Sequence, residues 1–276
     1  MIEISDLTFG YSKKETLFDN LNLNMSGGHV YGLLGRNGAG KTSLIMQIVG
    51  LLLPDSGNIF IDNCNSKDRS KKFLSTFFFV PEEFKIPNIK KDRFVRIYAP
   101  FYENFDKNLF DELLEKFSLS DDKKISDMSY GQKKKFMISF ALACNTKVLI
   151  MDEPTNGLDI PSKIVFRNII DSLKNQNNLF IISTHQIRDI EPLIDNIVIL
   201  DNGKIKFNNT TEEVLKKLSF RTTDKIQNIN NYLFSQEIPG GFSVIEQNTN
   251  SLKTEIDAEV FFNYVISGSD ILKYFD

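Results

Sequence analysis

The chain has 276 residues, 41% of them hydrophobic and 25% charged, which excludes disordered and fibrous classes. That length is enough for one large domain, or for a domain of about 200 residues with an appendage. A formal net charge of −3 offers no global attraction to nucleic acid or anionic lipid, so no nucleic-acid partner is expected.

Residues 2–4 and 21–25 alternate apolar and polar side chains, which predicts strands with one wet face. Gly27-Gly28 turns the chain into an apolar run at 30–34, suited to a buried strand. Residues 42–49 carry Leu44, Ile45, Ile48 and Val49 at helical spacing, with Gly50 as the stop signal. Strands are expected at 58–62 and at 77–80, the second buried and ended by Pro81. From about residue 86 the pattern turns helical. Leu109, Phe110, Leu113, Leu114 and Phe117 form one apolar stripe with Glu112, Glu115 and Lys116 outside it, so residues 85–144 read as a helical insertion. Strands return at 148–151, 179–183 and 197–200, with a helix near 161–173. Strand–helix–strand alternation predicts an α/β fold with a mainly parallel sheet covered by helices. Beyond residue 218 the signal weakens to a strand-like run at 242–246 and an ambiguous one at 259–266, and residues 219–276 are expected to form a small α+β accessory domain.

Cys64 and Cys144 stand far apart, which fits neither a disulfide framework nor a metal clip. The N-terminus lacks the basic and apolar regions of a signal peptide, and the most hydrophobic stretch, 136–144, is far shorter than the ~20 residues a membrane helix needs. A soluble intracellular protein is expected.

The first chemical motif is Gly35-Arg36-Asn37-Gly38-Ala39-Gly40-Lys41-Thr42, a G-x4-G-K-[ST] loop between a buried strand and a helix. Its glycines let backbone N–H groups curl toward phosphate oxygens, and the helix N-terminus adds partial positive charge. The reading is a nucleoside triphosphate site in which Lys41 reaches the β- and γ-phosphates, Thr42 ligates Mg²⁺ and Ser43 adds a nucleotide contact. Downstream, the apolar strand at 148–151 ends in Asp152 and Glu153. Asp152 can hold Mg²⁺ through water, while Glu153, pointing elsewhere, can accept a proton from an attacking water.

With these motifs the sequence resembles an ATP-binding cassette (ABC) nucleotide-binding domain. The distinguishing segment is Met128-Ser129-Tyr130-Gly131-Gln132, followed by Lys133-Lys134-Lys135 and an apolar helix. Ser129 and Gln132 form a capping box, so a helix should start there with its positive end outward. The lysine triplet reads as a solvated helix face rather than a nucleic-acid patch. Covering about residues 1–218, the resemblance implies a P-loop NTPase core with a mainly parallel sheet, an antiparallel β subdomain and a helical insertion. It implies an ATPase using ATP and Mg²⁺ in a dimer, homodimeric or with a paired ATPase subunit, in which Ser129, Gly131 and Gln132 meet the nucleotide of the opposite subunit. It further implies that Tyr11 stacks on adenine, that Asp159 of Asn156-Gly157-Leu158-Asp159 communicates across the dimer, and that His185 contacts the γ-phosphate. His29, the other histidine, is assigned no role.

Two positions depart from the family pattern. Val80-Pro81-Glu82-Glu83 stands where many members carry Gln; Glu82 could still approach Mg²⁺ and the attacking water, but cannot donate as an amide does. Tyr130 replaces the commonest Gly, which leaves Ser129 and Gly131 as the phosphate contacts. Residues 101–106, read as helical, and the Pro-Glu loop further resemble ATPase subunits of bacterial ABC-2-type exporters. The implied function is a transporter ATPase held peripherally at the cytoplasmic face of the membrane by a separate polytopic membrane subunit. The alternative is a soluble ABC ATPase doing mechanical work on ribosomes or DNA.

Overall fold

The computed structural model describes residues 1–12, 14–119, 123–174, 177–225, 232–249, 252–268 and 271–275. The two alternating segments near the N-terminus become β1 (Ile2–Ser12) and β2 (Glu15–Met25), an antiparallel pair. Both are longer than the sequence pattern shows, because Asp6 and Asn20 adopt left-handed φ of 51° and shifts of register break the two-residue period. Next come β3 (His29–Leu34) and α1 (Lys41–Ile48), which ends one residue before the expected limit, with Gly50 at φ 69° beyond it. Then β4 (Ser56–Ile61) and β5 (Cys64–Asn65) complete a four-stranded antiparallel sheet in the order β2-β1-β4-β5. A short helix, α2 (Lys71–Thr76), is capped by the Ser70 hydroxyl and leads into β6 (Phe77–Val80).

The middle of the chain is helical: α3 (Lys91–Tyr98), α4 (Lys107–Lys116) and α5 (Tyr130–Ala143). On α4 the predicted stripe of Phe110, Leu113 and Leu114 is buried while Glu112 and Glu115 are exposed. Two expectations are corrected here. Residues 101–106 are not helical: a 3-10 turn containing Pro100 ends at Phe101, and the chain then turns to Asp106, whose carboxylate caps α4. The lysine triplet is not a solvated face either. Lys133 and Lys135 are half-buried, and Lys134 lies on the inward side of α5 among the residues that pack it.

The second half supplies β7 (Val148–Asp152), α6 (Ile160–Leu173), β8 (Leu179–Thr184), β9 (Asn196–Asp201) and β10 (Lys204–Thr210). With β3 and β6 they build a six-stranded sheet in the order β10-β9-β3-β8-β7-β6, parallel except for β10 at one edge. Its apolar runs alternate between two buried faces. Val148, Ile150, Leu179 and Ile181 join α1 and the four-stranded sheet in one core. Leu149, Met151, Phe180 and Ile182 join the helices in the other. After α7 (Thr211–Lys217), the strands β11 (Leu218–Thr223), β12 (Phe234–Ile238) and β13 (Gly241–Gln247) form a third, antiparallel sheet in the order β11-β13-β12. The ambiguous run resolves as α8 (Ala258–Ile266), started by the Asp257 carboxylate accepting from the Val260 N–H.

Candidate active site

Parallel register brings the chemistry to one end of the six-stranded sheet. Leu34 at the end of β3 pairs with Thr184 at the end of β8, and Asp152 at the end of β7 pairs with Ser183. The glycine loop, the two carboxylates and the histidine segment therefore leave adjacent strands side by side, where ligands bind in open α/β sheets. An open cleft of about 580 Å³ lies there, lined by residues 36–43 with Tyr11, Glu82, Glu153 and His185.

Within the loop, Gly38 and Gly40 hold φ of 79° and 103°, and a Cβ on Gly40 would stand 3.0 Å from the Phe18 ring. The Lys41 ammonium is folded back over the loop, donating to the Gly35 carbonyl at 2.7 Å and to that of Arg36 at 3.3 Å. Burial lowers its pKa, while Glu153, Asp152 and Glu82 pull the other way. Thr42 donates its hydroxyl to Asp152 Oδ2 at 2.7 Å, and the Ser183 hydroxyl donates to Oδ1.

Asp152 and Glu153 diverge because Glu153 sits in the left-handed region at φ 46°. Its N–H reaches the Ser183 carbonyl at 3.1 Å, and its carboxylate turns into the cleft. Oε1 accepts from His185 twice, from the backbone N–H at 3.0 Å and from Nδ1 at 2.7 Å, while Oε2 accepts from the Thr184 hydroxyl at 3.1 Å. A carboxylate oxygen serves as the acceptor here, so the contact calls for the imidazole proton on Nδ1.

Glu82 reaches the cleft from the loop after β6. Asn156 Nδ2 donates to its Oε1 at 2.9 Å, and its carbonyl accepts from the Tyr130 hydroxyl at 2.7 Å and from Lys134 Nζ at 2.9 Å. Tyr11, at the rim, is 67% exposed, with an edge contact to Phe9 and its hydroxyl 2.8 Å from Ser43 Oγ. Such exposure rules out a core tyrosine and leaves a ring face open to a planar base. Gly35 and Asp152 lie beneath the cleft, bonded to Lys41 and Thr42.

Ser129, Gly131, Gln132 and Asp159 do not line the cleft. Ser129 and Gln132 form the predicted capping box at the start of α5. Asp159 caps α6 through the Ser162 N–H at 2.9 Å, and Ser162 and then Lys135 hold its pKa down. The two segments touch: a Cβ on Gly131 would come within 2.6 Å of the Gly157 carbonyl, and the Tyr130 ring covers Gly157. Sequence reasoning missed Ser183, Thr184, Asn156, Tyr130 and Lys134 as supports of the site. Their signal was present only in segments already quoted for other residues.

The hydroxyl of Thr42 and the carboxylate of Asp152 form a hard oxygen pair that suits Mg²⁺, which takes one or two protein oxygens and completes its shell with water and phosphate. Among the described residues no group of three or more His, Cys, Asp and Glu gathers elsewhere as a metal site. None of their helices is long and apolar enough to cross a membrane.

Comparison with known proteins agrees with this geometry. The family model described as ABC transporter matches residues 18–156. The chain is 35% identical over 236 residues to the bacitracin transport ATP-binding protein BcrA of Bacillus licheniformis, covering 82% of this chain and 76% of that one. It is 31% identical over 207 residues to the lantibiotic transport ATP-binding protein SrtF of Streptococcus pyogenes, covering 74% and 89% respectively. A solved ATP-binding subunit of an ABC transporter superposes with a TM-score of 0.71 at 27% identity, over 78% of this chain and 91% of that one. This chain belongs to the ABC transporter family, as an ATP-binding and ATP-hydrolysing subunit.

Proposed function

We propose that the cleft binds ATP with Mg²⁺ and hydrolyses it when a second ATPase subunit closes over it. In this reading the N–H groups of residues 38–42 cradle the phosphates, Lys41 leaves its loop carbonyls for the β- and γ-phosphates, and Tyr11 stacks on adenine. Thr42 and Asp152, with Glu82 alongside, hold Mg²⁺, which when bound neutralises charge on the transferring phosphoryl group. Glu153 takes a proton from water as the water oxygen bonds the γ-phosphorus; the bond to the β–γ bridging oxygen breaks, giving ADP and phosphate. His185 and Thr184 hold both oxygens of Glu153 and so fix its aim. Ser129, Gly131 and Gln132 complete the opposite subunit's site, and Asp159 lies at the same interface. Residues 1–218 form the ATPase domain and 219–276 an accessory unit. The subunit works at the cytoplasmic face of the membrane, docked on a separate polytopic subunit, and the proposed direction of transport is export.

The observation that carries this reading is the divergence of Asp152 and Glu153, one carboxylate on Thr42 and the other on His185, at the end of a strand beside the glycine loop. Glu153→Gln keeps the shape and one acceptor oxygen but removes the base. The expected outcome is retained ATP binding, a fall in turnover of about 10²–10⁴-fold and accumulation of an ATP-bound dimer in size-exclusion chromatography. Wild-type turnover in this variant would exclude Glu153 as the proton acceptor.

A further inference from the structure

Tyr130, the first residue of α5, touches two loops of the site at once. Its hydroxyl donates to the Glu82 carbonyl at 2.7 Å and so bonds the main chain of the loop after β6. Its ring lies over Gly157, where a Cβ would stand 2.7 Å from each of two ring carbons. Gly157 holds φ of 80° in the turn that follows Glu153, so a side chain there would meet both a strained backbone and the ring. The two loops are also joined to each other, since Asn156 Nδ2 donates to Glu82 Oε1 at 2.9 Å. The turn runs straight on from the proposed base. The Asn156 N–H reaches the Glu153 carbonyl at 3.3 Å, and the Leu158 N–H reaches that of Thr155 at 3.1 Å. The helix itself packs close, for a Cβ on Gly131 would come within 2.6 Å of the Gly157 carbonyl. A glycine at position 130 makes neither the hydroxyl nor the ring contact. A tyrosine makes both while fixing only two side-chain torsions.

We propose that Tyr130 is a positioning residue: a strut within one chain that sets the Glu82 loop and the 156–157 turn against the start of α5. The helical insertion is tied to the six-stranded sheet by the chain after β6 and the chain before β7. The strut adds a tie beside the cleft, so a displacement of the start of α5 passes to Glu82 and to the turn bonded to Glu153. Ser129 and Gly131, assigned to the opposite subunit's nucleotide, are thereby held in step with the carboxylates of their own site. That consequence for turnover rests on the ATPase reading above; the strut itself is a property of the nucleotide-free chain.

The test uses the full chain with Tyr130→Phe, which keeps the ring and removes the hydroxyl, and Tyr130→Ala, which removes both. Alanine suits a first helical turn and leaves the Ser129–Gln132 cap in place. Without nucleotide, amide hydrogen exchange over residues 153–158 is expected to quicken roughly tenfold in Tyr130→Ala. A Tm cycle with Gly157→Ala tests the ring contact. Left-handed strain is common to both backgrounds, so Gly157→Ala should lower Tm less in Tyr130→Ala than in the wild type. In steady-state kinetics well below every Tm, kcat is expected to fall about threefold in Tyr130→Phe and about tenfold or more in Tyr130→Ala, with KM for Mg-ATP within about twofold. Unchanged exchange, or additive Tm shifts, would overturn the strut. Wild-type kcat in both Tyr130 variants would overturn the positioning role. A lower kcat with exchange and Tm coupling both unmoved would assign Tyr130 to the opposite subunit's nucleotide instead, and that too overturns the proposal. Where Gly157→Ala does not fold, the exchange measurement decides alone. Absence of ATP turnover by the wild-type chain would sink the ATPase reading, while the nucleotide-free measurements would still decide the strut.

Discussion

Lys41 has partners before any ligand arrives. Its ammonium closes the loop on itself through the Gly35 and Arg36 carbonyls, so the loop is shaped around the charge that phosphate would later draw away. Lys41→Ala removes both the template and a charge-assisted contact, which is worth about 1.5–3 kcal/mol. ATP affinity measured by titration calorimetry is therefore expected to fall roughly 10–100-fold. Unchanged affinity would contradict the cradle. The loop was legible from sequence because only glycine tolerates the backbone at Gly38 and Gly40 without strain. The supports of the carboxylates were not. Ser183 and Thr184 look like ordinary strand residues until the register sets Asp152 opposite Ser183 and turns Glu153 toward Thr184. The left-handed φ that swings Glu153 away from Asp152 has no mark in the residue type.

Helix α5 is the element on which the dimer reading depends, and its first turn serves two purposes. The Ser129 hydroxyl accepts from the Gln132 N–H at 3.3 Å, and the Gln132 side chain accepts from the Ser129 N–H at 2.9 Å, so the cap is reciprocal. Ser129→Ala loses the cap and is expected to cost about 1 kcal/mol in thermal or denaturant unfolding. Ser129→Asp keeps a capping oxygen but adds negative charge at a site assigned to phosphate. It should hold wild-type stability and still lose most ATP turnover. A Ser129→Asp protein with normal turnover would leave the cap as the residue's only duty. This helix was legible because the capping box precedes a long apolar run, and the parallel strands were legible because both of their faces are buried. Elements with weak patterns were not: β10 buries only Phe207 fully, β12 buries none of its residues fully, and α2 spans six residues. In such elements neighbouring structure, rather than periodicity, fixes the conformation.

For the whole molecule, the question is how firmly the C-terminal unit is joined to the cassette. Its core does not close on itself. Phe261 on α8 is fully buried and meets Phe207 of β10 edge-on, with centroids 4.9 Å apart, and Phe220 of β11 at 6.3 Å. Val214, Leu218, Ile245 and Val265 belong to the same apolar cluster as Leu149, Phe180 and Ile182 of the central sheet. Polar links follow the same seam, for the Ala258 N–H reaches Glu191 Oε2 at 3.2 Å and Arg188 pairs with Glu259 at 2.6 Å, close after His185 in the chain. A core shared in this way should melt as one. Phe261→Ala leaves a cavity on both sides of the seam and is expected to cost about 3–5 kcal/mol, lowering a single calorimetric transition on the order of 10 °C. Two separated transitions, with only the smaller one displaced by Phe261→Ala, would show instead that the cassette holds its fold without the C-terminal unit. Cooperative melting would tie any ligand or partner that loosens α8 to the segment carrying His185, through the packing of α8 on residues 187–189.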